Sequence, residues 1–173
     1  MSFVFSYLAF FVVKLYLLYF WRMLYNDTPF SHEHFMRQAL REAEEAFAKD
    51  EVPVGAVIVM NNKIIARGYN QVELLNDSTA HAEVLALTTA YQVMGSKYLP
   101  DATLYVTVEP CLMCCGALYW GKVGKIVYGA SDEKNGYNHF TSHNPFPLKT
   151  EIITGVLAGE CAKLMKDFFK ARR

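Results

Sequence analysis

The chain has 173 residues, 17 basic and 17 acidic, with no formal net charge and 53% hydrophobic residues. That composition excludes a disordered chain and a polybasic nucleic-acid binder acting through global charge, while leaving room for a local basic patch. Three of the four cysteines crowd into Cys111–Cys115, which is not the spacing of a secreted disulfide scaffold; free thiols in a reducing cytoplasm are expected.

In chain order, the first segment is FVFSYLAFFVVKLYLLYFW, Phe3 to Trp21, almost wholly apolar and interrupted by Ser6 and Lys14. As a helix it would span roughly 28 Å, about one hydrocarbon core. Two readings stand. One is a membrane anchor, with Arg22 favouring a cytoplasmic domain behind it. The other is upstream sequence outside the native protein, which would start at Met23; the mid-span lysine and dense aromatics favour it. A cleaved signal peptide fits poorly, because no basic leader precedes the run and no small-residue cleavage site follows. In both readings residues 1–22 form an extension outside the fold. Polar turn residues at Asn26–Ser31 mark the boundary, and the domain is expected over 30–173.

Met36, Leu40, Ala43 and Phe47 recur at helical spacing behind Ser31, which predicts an amphipathic helix capped by that serine. VPVGAVIVM and KIIARGYN are β-branched runs joined by Asn61-Asn62, a hairpin signal. Asp77 or Ser78 is the expected cap of a second helix through TAHAEVLALTTAYQVM, stopped by Gly95. ATLYVTV predicts a strand. Pro110 then opens a helix over CLMCCGALYW, since proline is tolerated in a first turn. KIVYGA and TEIITGV predict two further strands, separated by a polar, aromatic loop with room for one short helix. The closing helix carries Leu157, Cys161, Leu164, Met165 and Phe168 on one stripe. Five strands alternating with helices imply a three-layer α/β/α domain.

The chemistry converges on two helix starts. His81 and Glu83 open one helix, and Cys111 and Cys114 open another directly after a strand. One helix, a turn and a strand separate them, enough chain to bring the second start beside the first. Residues three apart on a helix point the same way, and a helix N-terminus stabilises anions, which favours ionised thiols. Two thiolates and an imidazole make a three-ligand zinc site with a fourth position for water, the catalytic pattern. Glu83 stands two residues from His81, placed to move protons. Spacing alone does not separate Cys114 from Cys115, because four apart is nearly as good as three. For Cys115 the competing reading is a small buried residue on the packing face; for the pair it is a redox Cys-x-x-C. Glu109 is a rival carboxylate for the proton shuttle. His32, His34, His139 and His143 show no ligand spacing.

His81-Ala82-Glu83 with Pro110-Cys111-Leu112-Met113-Cys114 resembles the H-x-E…P-C-x-x-C signature of the zinc-dependent nucleoside and nucleobase deaminases. EVPVGAVIV, NNKIIARGYN, STAHAEVLAL, DATLYVTVEPCLMC, GKIVYGASDEKNG and the ending GVLAGECAKLMKDFFKARR are further similar, in order and spacing, to bacterial tRNA-specific adenosine deaminases. The resemblance covers about residues 31–173 and none of Phe3–Trp21. The chain departs from it at Cys115, where small residues are usual, and in the loop NGYNHF.

The resemblance implies a cytidine-deaminase-like domain with a central five-stranded mixed sheet. It implies one zinc per subunit on His81, Cys111 and Cys114, with Glu83 as the catalytic proton carrier. The implied reaction is hydrolytic deamination of adenosine to inosine at wobble position 34 of tRNA, by zinc-activated water, in a cytoplasmic homodimer that binds the anticodon stem-loop. It further implies substrate contacts at Asn70, Ala82 and Val54, with Pro53 beside Val54. Asp132, Lys134, Tyr137, Lys170, Arg172 and Arg173 are candidate RNA contacts, joined by Phe140 as a stacking ring and Lys166 as a phosphate contact; solvated charge and ordinary aromatic packing compete with these readings. A free-base deaminase for guanine or cytosine on the same scaffold is the alternative, and a non-catalytic zinc-stabilised module is disfavoured by Glu83. A membrane is a partner only if Phe3–Trp21 belongs to the protein.

Overall fold

The computed structural model describes residues 30–172; the expected extension 1–22 and Arg173 lie outside the described residues. Helix α1 (His32–Ala48) leads into the hairpin β1 (Gly55–Met60) and β2 (Lys63–Tyr69). A single-turn helix α2 (Val72–Leu75) and helix α3 (Ala82–Met94) follow, then β3 (Thr103–Val108), α4 (Leu112–Trp120) and β4 (Lys125–Ala130). A short α5 (Tyr137–Phe140), β5 (Glu151–Thr154) and α6 (Ala158–Lys170) complete the order. No helix among the described residues is long and apolar enough to cross a membrane.

Local chemistry explains most boundaries. Ser31 caps α1, its hydroxyl accepting from the His34 amide at 3.1 Å. Asn61 and Asn62 both take positive φ, 50° and 58°, as a two-residue hairpin turn requires. Gly95 ends α3 in the left-handed conformation. The expected Asp77 or Ser78 cap is corrected: α3 is capped in position by His81 with no side-chain cap bond. Asp77 instead closes a tight turn, accepting from the Thr79 amide and hydroxyl at 2.8 and 2.7 Å. An Asp bonding two residues ahead is a local alternative to capping, and here it frees His81 to be the residue at the helix mouth.

The sheet order is β2-β1-β3-β4-β5. β1 is antiparallel to both β2 and β3, while β3, β4 and β5 are parallel. Alternate strand residues face opposite layers. Val57, Val59, Tyr105 and Val127 pack with Phe35, Met36 and Ala39 of α1 and Cys161 of α6. Ala56, Ile58, Leu104, Val106 and Ile126 pack with Ala86 and Leu87 of α3 and Leu118 of α4. This is the three-layer α/β/α arrangement, with a mixed five-stranded sheet. Truncating one of its fully buried leucines, such as Leu104, would cost about 2–5 kcal/mol.

Two close approaches set the helices on the sheet. A Cβ on Gly55 of β1 would lie 2.2 Å from the Ala39 carbonyl oxygen of α1. A Cβ on Gly68 of β2 would lie 2.5 Å from the Ala82 carbonyl oxygen and 2.8 Å from the Ala86 nitrogen of α3.

Strand directions gather the chemistry at one edge. β2, β3 and β4 all end there and β1 begins there, so Val54, Asn70, Cys111 and the loop after Ala130 converge. Helix α6 runs alongside α1 in the same sense, Arg37 meeting Glu160 at 3.0 Å and Phe47 meeting Phe168 at 5.6 Å between ring centroids. Its C-terminal end therefore returns to that edge too.

Candidate metal and catalytic centre

His81 and Cys111 occupy the N-cap positions of α3 and α4 in extended backbone, and neither side chain caps its own helix. Both side chains are thereby free to face one another across the gap between the helix starts. His81 Nδ1 lies 3.6 Å from the Cys111 sulfur and 3.5 Å from the Cys114 sulfur. All three donor atoms fall within 4.8 Å of each other. A tetrahedral zinc with Zn–S of about 2.3 Å and Zn–N of about 2.0–2.1 Å sets an S···N separation of about 3.6 Å, so the donor set and its spacing fit that ion. The two thiols act as one unit: hydrogen bonding with Cys114 pulls Cys111 down to about 4, while Cys111, burial and Glu83 push Cys114 up. Cys115 points elsewhere. It is buried in the core against Leu118 and its neighbours, its thiol faces the Pro110 carbonyl at 3.8 Å, and burial pushes it up to about 12.

Glu83 sits in the first turn of α3, lines the same cleft and is almost wholly buried. Burial is the main cause raising its carboxyl above the usual range, which lets it hold a proton nearer neutral pH. Glu109 has a different setting. Its carboxylate accepts the Asp132 amide at 3.2 Å and the Asn138 amide at 2.9 Å, clasping the loop after β4 against the end of β3. Gly136 makes room for it, since a Cβ there would lie 2.5 Å from the Glu109 carboxyl carbon. With both oxygens engaged by backbone, Glu109 is a loop clasp.

Asn70, just past β2, is buried and lines the cleft with Val54. Pro53 is buried and does not line it. Ala82 is the fully buried first residue of α3, between His81 and Glu83. One neighbour escaped the sequence reading: Glu51 is completely buried and accepts from Asn70 Nδ2 at 3.0 Å. Its only local signal is an acid two residues before Pro53, which does not reveal a partner 19 residues away.

Over residues 30–173 the chain matches the MafB19-like deaminase family. It is 46% identical over 145 residues to the tRNA-specific adenosine deaminase of Rickettsia bellii, covering 80% of this chain and 99% of that one. The chain belongs to the tRNA-specific adenosine deaminase family. A solved tRNA:A34 deaminase, from work on A-to-I editing at the wobble position of transfer RNA, matches with a TM-score of 0.71 at 40% identity, over 76% of this chain and 98% of its own. A solved guanine deaminase from Bacillus subtilis matches with a TM-score of 0.57 at 45% identity, over 58% of this chain and 65% of its own. The five-stranded mixed sheet between helix layers is the fold expected of a deaminase of this kind.

Outside the His81-Cys111-Cys114 cluster, this tRNA-specific adenosine deaminase family member opens into a cleft of about 1450 Å³. Its wall continues from Asn70 and His81 past Asp132 and Lys134 to Met165, Lys166, Phe169, Lys170 and Arg172 of the C-terminal segment. The expected RNA contacts divide. Lys134, Lys166 and Lys170 are exposed cations on the cleft, with no ion pair among the described residues. Arg172 is engaged internally: it pairs with Asp50, donates to the Phe168 carbonyl and stacks 3.4 Å from the Phe168 ring centroid. Asp132 accepts the Lys134 and Asn135 amides at 2.9 and 3.1 Å, so its carboxylate shapes the loop. The expectation for Tyr137 is corrected: it is 6% exposed and wedged edge-on against Tyr128 and Phe146, a core ring with no face open for stacking. Phe140 and Phe169 are the exposed aromatics of these two segments.

Proposed function

We propose that this protein deaminates adenosine to inosine at position 34 of tRNA. The observation that carries the reading is the cleft: the buried Glu83 carboxylate with His81 and Cys111 at its floor, Cys114 buried just behind them, and exposed lysines along its wall. Its volume of about 1450 Å³ exceeds the roughly 300–1,000 Å³ of small-molecule pockets, and suits a base extruded from a strand that lies outside it.

In this reading His81, Cys111 and Cys114 hold one zinc per subunit. When bound, zinc supplies the Lewis acidity that makes water nucleophilic near neutral pH. Val54 lines the base pocket, Asn70 contacts the base and the Ala82 backbone borders it. Glu83 takes a proton from the attacking water as oxygen bonds to C6 of the base. It delivers that proton to the ring nitrogen, then carries the second proton to the departing amine. Adenosine and water become inosine and ammonia, and Glu83 ends as it began. Lys134, Lys166 and Lys170 hold phosphates of the anticodon stem-loop. The enzyme works in the cytoplasm, where its four free cysteines stay reduced.

The reading includes a homodimer. Leu112, Met113, Tyr119 and Trp120 are exposed at helical spacing along α4, Trp120 at 75%. A stripe of this kind is what a second copy would cover. Sedimentation of the purified protein should give twice the chain mass.

The decisive experiment supplies zinc-loaded protein with an adenosine-34 anticodon stem-loop, free adenosine, free guanine and free cytosine, and measures ammonia and inosine. Inosine in the stem-loop, little action on free adenosine, and a rate that falls as salt rises are expected. Turnover of free guanine with none of the stem-loop would overturn the tRNA reading.

A further inference from the structure

Glu51 has no part in the reaction just described, yet it is the most deeply buried acid among the described residues, at 0% exposure. It lies on the cleft wall just before β1, and three donors converge on its carboxylate. Asn70 Nδ2 donates at 3.0 Å, and the backbone amides of Glu73 and Leu74 donate at 3.3 and 2.6 Å. Those two amides belong to α2, whose N-cap residue Gln71 provides no side-chain bond. Glu51 therefore does from a distance what a cap does locally, and joins three pieces of the rim: the lead-in to β1, the end of β2 and α2.

The contact with Asn70 has a chemical consequence. A side-chain amide is nearly symmetric in shape and opposite in character on its two sides, accepting through Oδ1 and donating through Nδ2. A carboxylate already serving three N–H donors can only accept. Nδ2 must face it, and Oδ1 is fixed on the other side. The Asn70 backbone is pinned too, its amide donating to the Val54 carbonyl at 3.0 Å.

We propose that Glu51 is a positioning residue: it sets the polarity of the Asn70 amide, so that a base entering the cleft meets one fixed pattern of donor and acceptor. The target is a nucleobase whose edge is read by that pattern. The proposal rests on the reading of Asn70 as a substrate contact. Without Glu51 the amide turns over freely, and a fraction of encounters presents the wrong face.

The test is a double-mutant cycle on the full chain with the anticodon stem-loop, reading kcat and KM separately alongside zinc content and thermal midpoint. Glu51→Gln should lower kcat/KM about 10- to 100-fold, with most of the change in KM and zinc retained. In an Asn70→Ala background, Glu51→Gln should have less than about a twofold further effect, because the group it positions is gone. Glu51→Asp keeps an acceptor at shorter reach and should fall between parent and Glu51→Gln; it carries the cycle if Glu51→Gln does not fold. Effects that multiply independently in the double variant, or full activity of Glu51→Gln, would overturn the positioning role alone. Parental activity of Asn70→Ala would overturn the reading of Asn70, and the proposal with it.

Discussion

The floor and the outer wall of the cleft are built on different terms. His81, Glu83, Cys111 and Cys114 sit on the first turns of α3 and α4, whose inner faces, Ala86, Leu87 and Leu118, belong to the core. Lys134, Lys166 and Lys170 sit on exposed positions of a loop and a helix end. The difference follows from what each must do. In the proposed function the floor holds a metal and a proton carrier, which need fixed geometry to within about 0.5 Å, and a packed core supplies that. Attraction to phosphate falls off slowly over a Debye length of about 8–10 Å, so flexible cations suffice.

The sharpest way to break the contrast is at the floor. Cys111→Ser and Cys114→Ser should each strip the metal and abolish turnover, whereas Cys115→Ala should keep about one zinc per chain and near-parental activity. Metal analysis of the three purified proteins checks this, and a metal-free Cys115→Ala would assign the wrong pair. Next is Glu83→Gln, which should retain zinc and fold but lose about 10²–10⁴-fold in turnover; a parental rate would remove Glu83 as proton carrier. The clasp between floor and wall should show an intermediate effect. Glu109→Ala leaves the Asp132 and Asn138 amides without their acceptor, which should cost about 1–3 kcal/mol of stability and speed proteolysis of residues 131–149, with zinc retained. The wall itself should respond least. Lys166→Glu with Lys170→Glu should weaken stem-loop binding and flatten its salt dependence by roughly 0.7 per lost single-strand phosphate contact. Unchanged salt dependence would place the phosphates elsewhere.

What could be read from sequence tracks how far apart the partners are. Ser31, Asn61-Asn62 and Gly95 act on their own neighbours, and their local chemistry announces the helix cap, the hairpin and the helix stop. The clustering of His81, Cys111 and Cys114 was readable because these residues are chemically distinctive and fall on helix starts. Cys114 and Cys115 were not separable by spacing; both are buried, and only the packing of α4 turns one toward His81 and the other toward the Pro110 carbonyl. Asp77 misled because the same side chain serves a turn as well as a cap. Tyr137 misled because an aromatic in a polar loop gives no sign of which way it faces. Glu51 and Glu109 were out of reach, since their roles come from amides 19 to 29 residues away that meet them only after the strands align.

Gly68 carries a consequence for how this protein can vary. It does not line the cleft, yet α3 rests its backbone directly on it at Ala82 and Ala86. Any side chain at that position would force the start of α3, which carries His81 and Glu83, and β2 apart. A chain altered there would retain every group of the proposed centre and lose their register. In a library of variants scored for activity, position 68 should therefore be as intolerant as the residues of the proposed centre, though nothing about its chemistry would say so.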